Sequence, residues 1–154
     1  MDTRPSPGKW SASECIQHLN QTIESYLPNL KTAIDGYKSS STTATDYKRT
    51  LKIKLISKFL SPPYKLKSKT FTELLPKTNL SVDKIRTDFL ENQKNVMEII
   101  DSLSLEELNE IKIASPFKSS LKFKLGELFE FLAVHQQRHL WQAQKHLALL
   151  EIQQ

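Results

Sequence analysis

One cysteine, three glycines and no long apolar run are the scarcities of this chain, and each removes a class of protein. A lone Cys15 cannot form an internal disulfide, which excludes a disulfide-stapled scaffold and suits a reducing compartment. No segment approaches the roughly 18 to 20 apolar residues that cross a bilayer, and Met1 to Lys9 lacks the apolar core of a secretion signal. A cytoplasmic protein with no membrane partner is therefore expected. There is no Cys-x-x-Cys, and the histidine after His18 is His135, so zinc-finger spacing is excluded. Glycine is rare and β-branched residues do not alternate with polar ones over long runs, which leaves little support for sheet. Helices are the expectation.

What is present fits one soluble globular domain over residues 1–154: 38% hydrophobic and 25% charged residues, enough to bury a single core. The formal charge of +5 is concentrated in a block, Lys48, Arg49, Lys52, Lys54, Lys58, Lys65, Lys67 and Lys69, with no Asp or Glu among them. Such a block attracts phosphate backbones or anionic substrates when it forms a patch, and is otherwise the solvated face of one helix and its following loop. Few aromatics accompany it, chiefly Phe59 and Tyr64, and no helix-turn-helix pattern is present, so nucleic acid ranks low as a partner.

Local signals mark the elements. Ser11 and Glu14 form a capping-box start, with Trp10 stapling onto Cys15 from outside. The helix that follows carries Ile16, Leu19, Ile23, Leu30 and Ile34 toward a stop at Gly36, with a kink or break expected at Pro28. Residues 39–45, all Ser, Thr and Ala, form a polar segment expected to be a mobile linker. A second helix is expected over Asp46 to Leu60, ended by Ser61-Pro62-Pro63. Residues 61–80 read as connection with a short turn at Phe71 to Leu75. A third helix starts at Ser81 and buries Ile85, Phe89, Val96, Ile99, Ile100 and Leu103. Ser104 and Glu107 open a short helix expected to end at Pro116. The last helix runs from about Lys124 to Leu150, with Leu128, Phe131, Leu132, His135, His139, Gln142, Ala143, His146, Leu149 and Leu150 on one broad inward face. Glu127, Glu130, Gln137, Gln144, Lys145 and Glu151 fall mostly outside that face, as solvated positions.

His135 and His139 are one helical turn apart, about 6 Å along the axis, so both rings can reach one ion. Imidazole binds zinc, nickel and iron, and a third ligand from another element would leave positions open. Two imidazoles on an apolar face carry a desolvation cost that a metal removes, and hydrogen bonds to carboxylates or backbone groups would remove it equally well. His146 lies about 10.5 Å beyond His139 along the axis, too far for the same site, and reads as structural or superficial. His18 shares a mildly polar stripe with Cys15, Thr22 and Tyr26, which suits either a pocket wall or an exposed helix edge. Cys15 reads as a packed small residue.

Two segments carry a family resemblance. Trp10-Ser11-x-x-Glu14-x-x-x-His18-Leu19, preceded by Pro7-Gly8-Lys9, resembles the first signature of the DinB-like/YfiT-like superfamily. Gly126-Glu127-Leu128-x-x-Phe131-Leu132-Ala133-x-His135-x-x-Arg138-His139-x-x-Gln142 resembles its last. The resemblance implies an all-α fold, a four-helix bundle of up-down-up-down type whose long C-terminal helix carries His-x-x-x-His. It also implies a divalent-metal site on His18, His135 and His139, zinc or nickel first and iron or manganese next. Arg138 and Gln142 match positions beside the ligands, where a place behind them, on the pocket wall or on the helix surface is open to both, and Thr22 and Tyr26 are the further pocket candidates. Relatives carry His-Pro where this chain has Ser115-Pro116, so no role passes to Ser115. Another helix normally precedes the Pro-Gly-Lys-Trp-Ser segment. With nine residues before Trp10, the Ile16, Leu19 and Ile23 face is expected to be covered by the 46–60 helix or by a second chain, or the chain to be a truncated copy. A homodimer is the favoured assembly.

The resemblance points to a metal-dependent enzyme acting on a small molecule, transferring a low-molecular-weight thiol to an electrophile or acting as a hydrolase. The alternative is a non-catalytic, metal-binding or stress-related helical protein.

Overall fold

The computed structural model describes residues 2–39, 44–64, 69–77 and 80–152. Most of the 39–45 segment and the lysines at 65 and 67 lie outside these, so the expected linker and that end of the basic block are not described. The helices are α1 (Ala12–Asp35), α2 (Leu51–Leu60), α3 (Val82–Asp101), α4 (Leu105–Glu110) and α5 (Leu125–Ile152), with a 3-10 turn at Thr72–Leu74. Between α4 and α5 stand two strands, β1 (Lys112–Ser115) and β2 (Lys118–Lys124), paired antiparallel. No described helix is long and apolar enough to cross a membrane.

α1 begins where its capping box dictates. The Ser11 side chain accepts from the Glu14 N–H at 3.1 Å, and Glu14 accepts from the Ser11 N–H at 2.7 Å. Ser104 and Glu107 do the same for α4, and Ser81 caps α3. Pro28 does not break α1. It lies on an exposed face with Glu24, whose carbonyl is the one deprived of its helical partner, so that group is turned toward water.

The two strands correct the all-helical expectation. Ile111, Ile113 and Ser115 alternate inward, opposite Phe123, a two-residue period that three or four residues of sequence cannot separate from a helix end. Ile113 faces Phe123 across the ladder, and Leu125 N–H donates to Ile111 O at 2.9 Å, so β2 passes directly into α5. Consequently α4 stops at Glu110 rather than at Pro116. The core joins Ile23, Tyr26 and Leu30 of α1 with Ile111, Ile113, Phe123, and Leu125, Leu128 and Leu132 of α5. Without the hairpin, one side of that cluster would be wet.

α2 starts five residues later than the pattern suggests. Thr50 is its cap, and the residues before it run extended because they have other partners: Lys48 N–H donates to the Asn109 side chain, and the Asp46 carbonyl accepts from Asn109. α2 packs on α5, whereas α3 packs on α1. Leu19 and Ile23 are only 1% and 3% exposed. Their face is thus covered within this chain, with α3 rather than α2 lying against α1.

Glu127 is a further correction. It is not solvated but 1% exposed, held by Thr50 Oγ1, by the Lys124 N–H at 3.0 Å and by Lys52 at 3.0 Å. Burial pushes its carboxyl up, but these hydrogen bonds outweigh that and hold it below the usual range. The carboxylate therefore caps the start of α5 and ties α2 to it. Arg49 pairs with Glu130 in a more exposed position, so part of the basic block is engaged by the chain's own carboxylates.

At Gly126 a Cβ would meet the Tyr47 ring at 2.4 Å. Gly126→Ala is expected to lower stability by about 1–3 kcal/mol despite alanine's better helix propensity. In a Tyr47→Ala background the same substitution becomes neutral or stabilising. Urea midpoints of the four proteins in the cycle check this, and equal costs in both backgrounds would refute the clash.

Candidate metal centre

His18 reaches the centre of the molecule because α1 packs along α5. Its stripe is a buried one: Cys15, His18, Thr22 and Tyr26 are all buried, and the last three line a cavity of about 530 Å³. The ring is aimed by backbone. His18 Nδ1 hydrogen-bonds the Leu74 carbonyl at 2.8 Å, which makes Nδ1 the protonated nitrogen and leaves a lone pair on Nε2. The carbonyl is available because Gln21 Nε2 holds the same turn through the Leu75 carbonyl at 3.2 Å.

His135 and His139 both stand on α5 and complete a cluster with His18. The three rings lie with centroids 4.6 to 5.1 Å apart, and one nitrogen from each falls within 4.8 Å of the others. His18 Nε2 and His135 Nε2 are 3.3 Å apart. An ion bound tetrahedrally at about 2.1 Å separates its ligand nitrogens by about 3.4 Å, so this spacing fits one. Among the described residues no group satisfies His135 Nδ1 or His139 Nδ1, although both atoms are buried. The donor set, three imidazoles with no carboxylate or thiolate, suits zinc, nickel and iron, and suits manganese less because that ion prefers oxygen ligands. These three residues could hold a metal ion.

The electrostatics favour the ligating form. Burial, then the neighbouring His18 and Arg138, push His135 down to about 3. Burial and the other two histidines, with Arg138, push His139 down to about 2 against an opposing hydrogen bond from Gln142. Burial lowers His18 as well, with the Leu74 bond opposing. All three rings are neutral at pH 7, as metal binding requires.

Other site residues fall as follows. Arg138 is buried with its guanidinium 3.5 Å from the centroid of the Tyr64 ring, and Tyr64 Oη donates to Gln142 at 3.4 Å. Both Arg138 and Gln142 line the cavity. Tyr26 Oη donates to Ser115 Oγ at 3.3 Å. His146 hydrogen-bonds the Trp10 carbonyl at 2.6 Å, a satisfied structural histidine that pins the N-terminal segment to α5. Cys15 packs with Ala12 and Ala143, its thiol pushed up to about 12 by burial, which makes it a poor nucleophile.

Sequence reasoning missed three contributors: the Leu74 carbonyl, the Trp10 ring that packs 5.0 Å from His18 and 5.8 Å from His139, and Tyr64 under Arg138. Trp10 sits in the first signature, so a signal for it existed. A backbone carbonyl leaves none.

The model of the DinB superfamily matches residues 1–143. The chain belongs to the DinB superfamily. A search of the curated proteins finds no match, and a search of the solved structures finds none. In this DinB protein both signature segments converge on the histidine cluster, one from each end of the chain.

Because the histidines are lowered in the folded protein, the unfolded chain binds more protons below about 6.5, the ordinary histidine value. Stability of the chelator-treated protein is therefore full above that pH and lost as pH falls toward 3, by about 1 kcal/mol per histidine for each pH unit in the upper part of the window. Urea unfolding at several pH values between 7.5 and 5 checks it. The slope should flatten in His135→Gln/His139→Gln, and an unchanged slope there would contradict the assignment.

Proposed function

We propose that this chain is a divalent-metal-dependent enzyme of the DinB type, with His18, His135 and His139 as ligands of one ion, zinc or nickel first and iron or manganese next. In this reading α1, α2, α3 and α5 are the four helices of the bundle that the superfamily resemblance implies. The observation that carries it is the convergence of three neutral imidazoles, one nitrogen from each within 4.8 Å of the others, on the wall of a cavity large enough for a small molecule.

An ion with three neutral ligands keeps its double charge and, when bound, lowers the pKa of a coordinated thiol or water so that a nucleophile exists at neutral pH. The chain's own contribution is orientation and exclusion. The Leu74 carbonyl fixes the His18 tautomer, and Trp10 covers the edge shared by His18 and His139. Phe131 stacks on His135 at 5.4 Å and, with Phe117 and Leu121, keeps water from the far side of the cavity. No carboxylate lines the cavity among the described residues, so proton transfer by Asp or Glu is not part of the proposal. The reaction we favour is transfer of a low-molecular-weight thiol to an electrophile, with hydrolysis as the second reading. The assembly we pair with it is a homodimer through Leu51, Leu55 and Phe59, which stand 72%, 58% and 54% exposed along one stripe of α2.

Protein purified without a nickel column is expected to carry about one equivalent of metal, falling at least about tenfold in His139→Ala or His135→Ala. Elemental analysis reads this directly. Native protein without metal, and with no gain in thermal stability on adding zinc or nickel, would refute the site. Metal bound without metal-dependent consumption of several thiols and electrophiles would leave the non-catalytic reading in its place. In sedimentation, Leu55→Lys should dissociate the dimer without changing metal content, and a monomeric native protein would refute that assembly.

A further inference from the structure

Two hydroxyls on the cavity wall have their protons engaged within the chain. Thr22 Oγ1 donates to the His18 carbonyl at 2.8 Å, and Tyr64 Oη donates to the Gln142 side chain at 3.4 Å. Tyr26 and Ser115 differ. Both line the cavity, 3% and 5% exposed, and Tyr26 Oη donates to Ser115 Oγ at 3.3 Å. Ser115 Oγ also accepts from the Phe117 N–H at 3.3 Å. A serine hydroxyl has two lone pairs and one proton, so with both lone pairs taken the Ser115 proton is left to donate. If Ser115 donates to Tyr26 instead, the Tyr26 proton is the one left over. In either arrangement one proton remains, and among the described residues no acceptor takes it.

Aromatic rings surround the pair. Tyr26 meets Phe117 and Phe131 with ring centroids 6.1 and 6.4 Å away, and Phe71 stacks on Phe117 at 5.2 Å. Such walls penalise an ion more than a neutral acceptor, because a charge brought there gives up more hydration. A buried donor among them favours a ligand that brings an acceptor over one of the same shape that lacks it. Burial pushes the Tyr26 hydroxyl up, with the Ser115 bond opposing, so at neutral pH the phenol is a donor and not a base. Both 3.3 Å bonds are long for their kinds, so turning either hydroxyl toward a ligand gives up little.

We propose that the cavity takes a neutral aromatic carbonyl compound, its ring against Phe117 and Phe131 and its carbonyl oxygen accepting from the Tyr26–Ser115 hydroxyl pair. This rests on reading the cavity as a substrate site, and it adds the class of ligand: an aryl ketone, aldehyde or ester in preference to a hydrocarbon of the same outline. Tyr26 and Ser115 are then the residues that set this specificity.

Acetophenone and α-methylstyrene test it, since they share one shape and an exomethylene group replaces the carbonyl oxygen in the second. NMR titrations of the protein, as purified and after chelator treatment, give both affinities. The ratio of ketone to alkene affinity should fall at least about fivefold in Tyr26→Phe/Ser115→Ala, with the alkene affinity within about twofold of native. In the native protein the infrared carbonyl stretch of bound acetophenone, isotope-labelled at the carbonyl, should lie below its position in hexane. A stretch at the hexane position would overturn the proposal without any variant being needed. If both compounds bind and the ratio is unchanged in the double variant, this inference fails while the cavity remains a ligand site. If neither binds in the millimolar range, the reading of the cavity fails and this inference with it. A lowered stretch that returns to the hexane position on chelation would assign the oxygen to the ion, overturning this inference while supporting the metal reading.

Discussion

Three imidazoles brought nitrogen to nitrogen inside a helical protein set a constraint that the surrounding structure answers piece by piece. Each buried nitrogen lost its water on folding, and an unpaired one costs on the order of 1–3 kcal/mol. His18 answers with a single 2.8 Å bond to the Leu74 carbonyl. That bond requires the segment after α2 to cross over α1, which Gln21 secures through the Leu75 carbonyl and Asn20 extends by holding the Ile85 carbonyl at the start of α3. A row of buried polar side chains on α1, odd for a core helix, is thus the seam by which the connection between α2 and α3 is fastened. Among the described residues His135 and His139 have no such partner for Nδ1.

The hairpin serves the same centre from the other side. By pairing Ile113 with Phe123 it seals the lower core, and by running straight into Leu125 it sets the rotation of α5, and therefore which way His135 and His139 face. Glu127 fixes that starting point again from α2. Phe117, at the hairpin turn, reaches the cavity and meets Tyr26. The elements that look peripheral, a short ladder and a ten-residue helix, are what orient the long helix that carries two of the three histidines.

Legibility followed range. Capping boxes at Ser11 and Ser104 and the cap at Ser81 were readable because cap and partner are three residues apart, and the His135 to His139 spacing because one helical turn brings them together. The strands of the hairpin, four and seven residues long, were not, since their inward residues are too few to establish a period before tertiary contact chooses between helix and strand. The delayed start of α2 depends on Asn109, some sixty residues away, claiming both the Asp46 carbonyl and the Lys48 N–H. Glu127 was misread for a related reason: its place on the helix wheel is outward from α1 but inward toward α2.

By itself the sequence determined that the chain is mostly helical, where four of its helices stop or start, that His135 and His139 share a face, and to which superfamily its two end signatures belong. Those are properties of neighbours a turn apart, or of motifs carried whole in one segment. Only the tertiary structure decided that His18 faces the pair, that its Nδ1 is spoken for by a backbone carbonyl, that Arg138 lies desolvated on Tyr64 inside the same cavity, that Cys15 is a packing group, and that His146 is tied to the Trp10 carbonyl. The physical reason is the same in each case: burial and hydrogen bonding are satisfied by partners far apart in the chain, and only packing brings those partners together.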